Sequence, residues 1–171
     1  FKDKYEARTL WSQLAAQKGW ELREIPPRGI MFKYNAAGLE ESVEDLVKTE
    51  FNQATGVFVL RIDRPNSSNA LFPELVDHIR DVLVSAQADP RIEIIVLTGT
   101  GKTFIAGADI TEFGKPAQGP DFNAVLNMIE AAPKPVVAAI HGTALGGGLE
   151  TALVCHYRIA VPSARLGGPE L

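Results

Sequence analysis

The chain has 171 residues, 46% hydrophobic and 22% charged, with a net charge of −4 at neutral pH; these values suit one globular domain with a sizeable core and exclude an intrinsically disordered chain. The acidic balance, with a pI near 5.4, argues against a nucleic-acid partner, which needs a basic surface. A single cysteine, Cys155, excludes an internal disulfide and a multi-cysteine metal site, and no apolar run approaches the roughly 20 residues that a membrane-spanning helix requires.

Residues 1–50 read as a small α+β unit of their own. Ala7, Leu10, Trp11, Leu14 and Ala15 fall at helical spacing, with Gly19 as the stop. Two extended segments, 20–25 and 30–34, flank the turn Pro26-Pro27-Arg28-Gly29. A second helix is predicted over residues 39–48, with Val43, Leu46 and Val47 on one face. No chemistry attaches to this region, and its aromatic residues read as packing groups.

From Gly56 the pattern changes. Residues 57–62 form a strand candidate closed by Arg64-Pro65, and the cluster Asn66-Ser67-Ser68-Asn69 can cap the helix that follows. That helix, 72–86, places Leu75, Ile79, Val82, Leu83 and Ala86 on one face, and Asp89-Pro90 breaks it. Residues 92–98 are so apolar that both faces of the strand should be covered. A long glycine-bearing loop, 99–110, precedes a helix over 120–132 with Val125, Leu126 and Ile129 apolar, then a buried strand over 136–140 that leads into Gly146-Gly147-Gly148. A helix follows, then a strand over 157–161. Strand and helix alternate, so the class is α/β.

Gly101-Lys102-Thr103 imitates the end of a nucleotide-binding loop. That motif needs another glycine five residues earlier, where this chain has Val96 inside a strand. Lys102 therefore reads as a solvated charge. His141 and His156 are not at metal-ligand spacing, and no serine sits in a Gly-x-Ser-x-Gly elbow, so both read as structural. Cys155 reads as a packed helix residue.

The triple glycine carries the chemistry. A helix start has unpaired amide N–H groups and partial positive charge, and glycines remove side chains that would hold a ligand away. Glu150 falls in the first turn of that helix. The loop Phe104-Ile105-Ala106-Gly107-Ala108-Asp109 follows a neighbouring strand, and loops at the ends of adjacent parallel strands meet at one edge. One amide from each would form an oxyanion hole. Such a hole polarises a carbonyl, and a thioester suits it because its α-carbon is readily deprotonated.

Ala106-Gly107-Ala108-Asp109-Ile110, Lys134-Pro135-Val136-Val137-Ala138-Ala139-Ile140, Ala144-Leu145-Gly146-Gly147-Gly148-Leu149-Glu150 and Gly168-Pro169-Glu170 together resemble the crotonase, or enoyl-CoA hydratase/isomerase, superfamily. Cys155-His156-Tyr157-Arg158-Ile159-Ala160 is similar to the hydratase part of multifunctional fatty-acid β-oxidation enzymes. The resemblance implies a crotonase-like spiral of repeated strand-strand-helix (ββα) units over residues 51–171, incomplete after the second glutamate, behind the extension at 1–50. It implies that the amides of Ala108 and Gly147 hold the thioester oxygen. Ala106, Ala108, Asp109, Ile110, Thr111, Gly146 and Gly147 would contact the acyl-CoA substrate, with Asp109 to Thr111 beside the CoA arm. Glu150 and Glu170 would be the catalytic carboxylates, Glu150 positioning water and Glu170 handling the α-proton. Members with both glutamates tend to hydrate, and those keeping the second alone tend to isomerise. Neither a metal nor a cofactor beyond the substrate's own coenzyme A is expected. Assembly as a homotrimer or hexamer follows, in the cytoplasm or, if a leader was removed, an organelle matrix. The alternative is a non-catalytic module of the same fold that binds acyl-CoA or a partner subunit.

Overall fold

The computed structural model describes residues 33–34, 40–109 and 121–168. The helix and turn expected within residues 1–29 lie outside them, and Lys33–Tyr34 is a short strand inside the extended segment expected there. The second expected helix does not form. A single 3-10 turn, Val43–Leu46, gives way to strand β1, Val47–Asn52. The helical spacing of Val43 and Leu46 is satisfied by that one turn, which buries both. Beyond it Asn52 sets up a tight reversal, its side-chain oxygen accepting from the amides of Ala54 and Thr55 at 3.0 and 3.2 Å. The chain returns as β2, Val57–Ile62, antiparallel to β1 with Val47 opposite Ile62 and Asn52 opposite Val57. β1 thus runs through the 50/51 boundary expected between extension and domain, and the sheet begins ahead of it.

The order continues with α1 (Pro73–Ala88), β3 (Ile94–Gly99), α2 (Phe122–Glu130), β4 (Val136–Ile140), β5 (Thr143–Leu145), α3 (Gly147–Val154), β6 (Tyr157–Ala160) and β7 (Arg165–Gly167). One sheet has the order β1-β2-β3-β4-β6, parallel from β2 onward. Parallel neighbours need long crossovers, and each crossover here contains a short extended piece before its helix. Leu71 bridges Ala108, Ile105 bridges Ala144, and β5 pairs in parallel with β7. Long strand, short strand and helix thereby recur, which is the repeating unit the resemblance implied. β5 also separates β4 from the triple glycine, where the sequence reading has β4 running straight into it.

α1 turns Leu75, Ile79, Leu83 and Ala86 inward as their spacing predicts, with Val76 joining them, while Val82, expected on the same face, is only half-buried. Leu60, Ile95 and Leu97 of the sheet are essentially without solvent contact, and Val76 and Ile79 share a small cavity with Leu97. Ile94, at the start of β3, is 36% exposed, so cover on both faces holds for the rest of the strand more than for its first residue.

The cluster Asn66 to Asn69 does not cap α1. Pro65–Ser67 is a 3-10 turn, Ser68 and Asn69 take left-handed backbone (φ 53° and 54°), and α1 starts after an extended Phe72 without a side-chain cap. Pro73 at the helix start has no N–H to satisfy. Asn69 is instead spent across the fold: its amide nitrogen donates to the carbonyls of Thr100, Thr103 and Phe104 at 2.9, 2.7 and 3.3 Å.

Candidate active site

The segment 104–109 lies between the chain at 68–71 and β5, and is hydrogen-bonded to both. The amides of Phe104 and Ile105 donate to the Thr143 carbonyl, and Leu145 donates to the Ile105 carbonyl. On the other side Leu71 donates to Gly107 at 2.8 Å and Asp109 donates to Leu71 at 2.7 Å. The two glycine turns therefore run side by side. A carbon added to Gly107 would sit 3.1 Å from the Leu145 oxygen and 3.9 Å from the Gly146 Cα.

Each turn places a positive-φ glycine directly before a candidate donor: Gly107 (φ +101°) before Ala108 and Gly146 (φ +48°) before Gly147. The peptide that follows such a residue points where an L side chain would rarely allow. The other two candidate amides are already committed, Ala106 to the Ser68 carbonyl at 3.1 Å and Gly146 to the Gly167 carbonyl at 3.2 Å. The N–H groups of Ala108 and Gly147 have no acceptor among the described residues.

α3 opens at Gly147, and its first turn carries Glu150, an exposed residue whose amide closes the turn onto the Gly146 carbonyl at 2.9 Å. Its carboxyl Oε2 lies 3.9 Å from where a Gly147 Cβ would stand. The ring of Phe122, at the start of α2, comes within 3.3 Å of the same imagined atom. Sequence reading passed over Phe122, since one aromatic at a helix start has no motif. Beneath it a water-sized apolar cavity of about 20 Å³ is lined by Leu71, Ile105, Phe122 and Thr151 among others.

Asp109, one of the candidate substrate contacts, is 7% exposed. Its carboxylate is turned into the protein and meets the Arg64 guanidinium at 2.8 Å, with the two side chains 8% and 2% exposed. Arg64 also donates to the Ala70 carbonyl at 3.1 Å and stacks on Phe72, 4.7 Å from the ring centre. The sequence reading used Arg64 only as a strand end.

Ile110, Thr111 and Glu170 lie outside the described residues.

The remaining candidates are structural, as expected. His156 Nδ1 accepts from the Val136 amide at 2.9 Å, and His141 Nε2 lies 2.9 Å from the Gly101 carbonyl. Burial pushes the Cys155 thiol up to about 12. Arg158 caps the end of α3, donating to the carbonyls of Leu153 and Cys155 at 3.0 and 2.8 Å. Lys102 is exposed. Among the described residues no group of three or more acidic, histidine or cysteine side chains is placed to hold a metal, and no helix is long and apolar enough to cross a membrane.

A parallel sheet with a second row of short strands and paired glycine turns at one edge defines an α/β protein of the crotonase fold. The chain belongs to the enoyl-CoA hydratase/isomerase family, whose family model matches residues 52–171. It is 50% identical over 103 residues to a peroxisomal bifunctional enzyme of Danio rerio, a match covering 60% of this chain and 14% of that one. It is 42% identical over 125 residues to a crotonyl-CoA hydratase of Syntrophomonas wolfei, covering 66% of this chain and 46% of that one. A crystal structure of an enoyl-CoA hydratase from Bacillus anthracis matches with a TM-score of 0.66 and 32% identity, over 73% of this chain and 51% of that one. The chain thus spans about half the length of such hydratases and a smaller part of the bifunctional enzyme.

Proposed function

We propose that the protein adds water to 2-enoyl-CoA thioesters. The observation that carries this reading is the pair of adjacent glycine turns whose amides at Ala108 and Gly147 have no acceptor among the described residues, while their neighbours at Ala106 and Gly146 are bonded. Two such donors on a thioester oxygen stabilise the enolate that forms when a nucleophile adds at C3, and one donor of this kind is typically worth about a hundredfold to a thousandfold in rate. Glu150 orients the water and takes its proton as the oxygen bonds to C3, and Glu170 delivers a proton to C2, so the elements of water are added with no redox change. Coenzyme A enters as part of the substrate, and the reaction calls for no separate cofactor. The relatives named as hydratases support the same substrate class. Self-association into trimers or pairs of trimers belongs to this reading and is measured by sedimentation.

The test is the loss of conjugated-enoyl absorbance from crotonyl-CoA, repeated with Glu150→Gln and Glu170→Gln. Each substitution is expected to lower kcat by roughly 100-fold or more while the protein stays folded. Tight CoA binding without hydration in the unmodified protein would instead identify a non-catalytic binding module.

A further inference from the structure

We propose that Arg64, acting through Asp109, is a positioning residue for the oxyanion hole; this rests on the hydratase reading above. Ala108 is exposed, and among the described residues its N–H has no acceptor. Its aim is therefore set by the residues on either side. The Gly107 carbonyl, in the same planar peptide as that N–H, accepts from the Leu71 amide at 2.8 Å, and Asp109 holds the other side. Asp109 is anchored through its amide to the Leu71 carbonyl and through its carboxylate to Arg64. Arg64 is anchored in turn by Ala70, by the Phe72 ring and by its own amide, which donates to the Asn69 side-chain oxygen at 2.8 Å. Asn69 then grips Thr103 and Phe104 at the start of the same loop. Arg64 and Asn69, five residues apart, thus hold both ends of the segment that presents Ala108.

A buried ion pair is a poor source of net stability, because an apolar pair of similar volume often does as well. What it supplies that an apolar pair cannot is a fixed direction and a cancelled charge. Asp109 directly follows the donor residue, and an uncompensated carboxylate there would oppose the negative charge that develops on the thioester oxygen. Arg64 removes that opposition.

The experiment compares Arg64→Lys, Asp109→Asn and the double variant Arg64→Met/Asp109→Leu with the unmodified protein. It reads unfolding midpoint, kcat, KM, and the carbonyl stretch of a bound enoyl-CoA labelled with carbon-13 at the thioester. The apolar double variant is expected to unfold near the unmodified midpoint yet hydrate roughly 10- to 100-fold more slowly at little-changed KM, with the carbonyl stretch moved back toward its value in free substrate. Arg64→Lys should retain more activity than Asp109→Asn. A double variant that recovers stability, kcat and the carbonyl shift together overturns the proposal and leaves the pair merely structural. If the double variant does not fold, unchanged kcat and carbonyl stretch in both single variants overturn it equally. Absence of hydration in the unmodified protein removes the hydratase reading and this inference with it, whereas active unmodified protein with unaffected variants removes the inference alone.

Discussion

Gly148 lies so close to the backbone of Ile105 that a side-chain carbon at position 148 would overlap the Ile105 carbonyl oxygen. The contact packs the first turn of α3, which carries Gly147 and Glu150, directly against the loop that carries Ala108. Ile105 cannot yield easily, since its carbonyl accepts from Leu145 and its amide donates to Thr143.

Gly148→Ala is therefore expected to destabilise the protein by about 1–3 kcal/mol through overpacking and to lower hydration by displacing the start of α3. The denaturant midpoint and kcat report the two effects. A variant with unchanged midpoint and rate would mean that α3 and the loop are not coupled in this way.

Gly107→Ala probes the other turn. At φ +101° an alanine is strained, by about 1–3 kcal/mol, and its methyl would press on the Leu145 oxygen at 3.1 Å. Strain is relieved if the peptide between 107 and 108 rotates, which takes the Ala108 N–H away from its site. The expected outcome is a loss of kcat of roughly 100-fold, larger than the stability change alone explains. Steady-state kinetics beside thermal unfolding would check it, and a fall in stability with intact kcat would count against the Ala108 amide as a donor.

The α/β class was legible because buried strands such as Val136–Ile140 appear as unbroken apolar runs and α1 keeps its helical spacing. β1 was not legible. Its middle residues Lys48, Thr49 and Glu50 are all exposed, so no alternation announces a strand, and Val43, Leu46 and Val47 fit a helix equally well. β5 is three residues long, too short for any period. In the site, the glycines signalled bare backbone, but amide donors carry no side-chain signature, so Ala108 and Gly147 came from family resemblance. Arg64 and Asp109 are 45 positions apart, and single-sequence patterns do not record such pairings.

Asn69 gives a sharper test of that long-range wiring. It is fully buried, its nitrogen faces three carbonyl oxygens, and its oxygen accepts from the Arg64 amide. Asn69→Asp keeps shape and left-handed backbone tolerance but replaces the donor with oxygen. Carbonyls left unsatisfied typically cost about 1–3 kcal/mol each, so the variant should lose at least that much stability, and more at neutral pH than near pH 3, where the new carboxyl can protonate and donate. Chemical denaturation at the two pH values, each relative to the unmodified protein, measures the difference. Equal losses at both would show that the oxygen-for-nitrogen exchange is not what matters.

Cys155 follows from burial. Its side chain is 3% exposed and its Sγ donates to the Thr151 carbonyl at 3.2 Å. Desolvation raises the thiol from 9.0 to about 12, against a smaller opposite pull from Arg158. At pH 8 only about one molecule in ten thousand then carries the reactive thiolate. Alkylation of the native protein should be very slow at that pH and become fast in denaturant, where the thiol returns to its ordinary range. The same shift has a consequence for stability. The folded thiol holds its proton to higher pH than the unfolded one, so the contribution is complete below pH 9 and is lost as pH rises from about 9 toward 12. Cys155→Ala should remove that part of the alkaline slope while leaving hydration intact. Rapid labelling of the folded protein, or loss of activity in the alanine variant, would count against a purely packing role for Cys155.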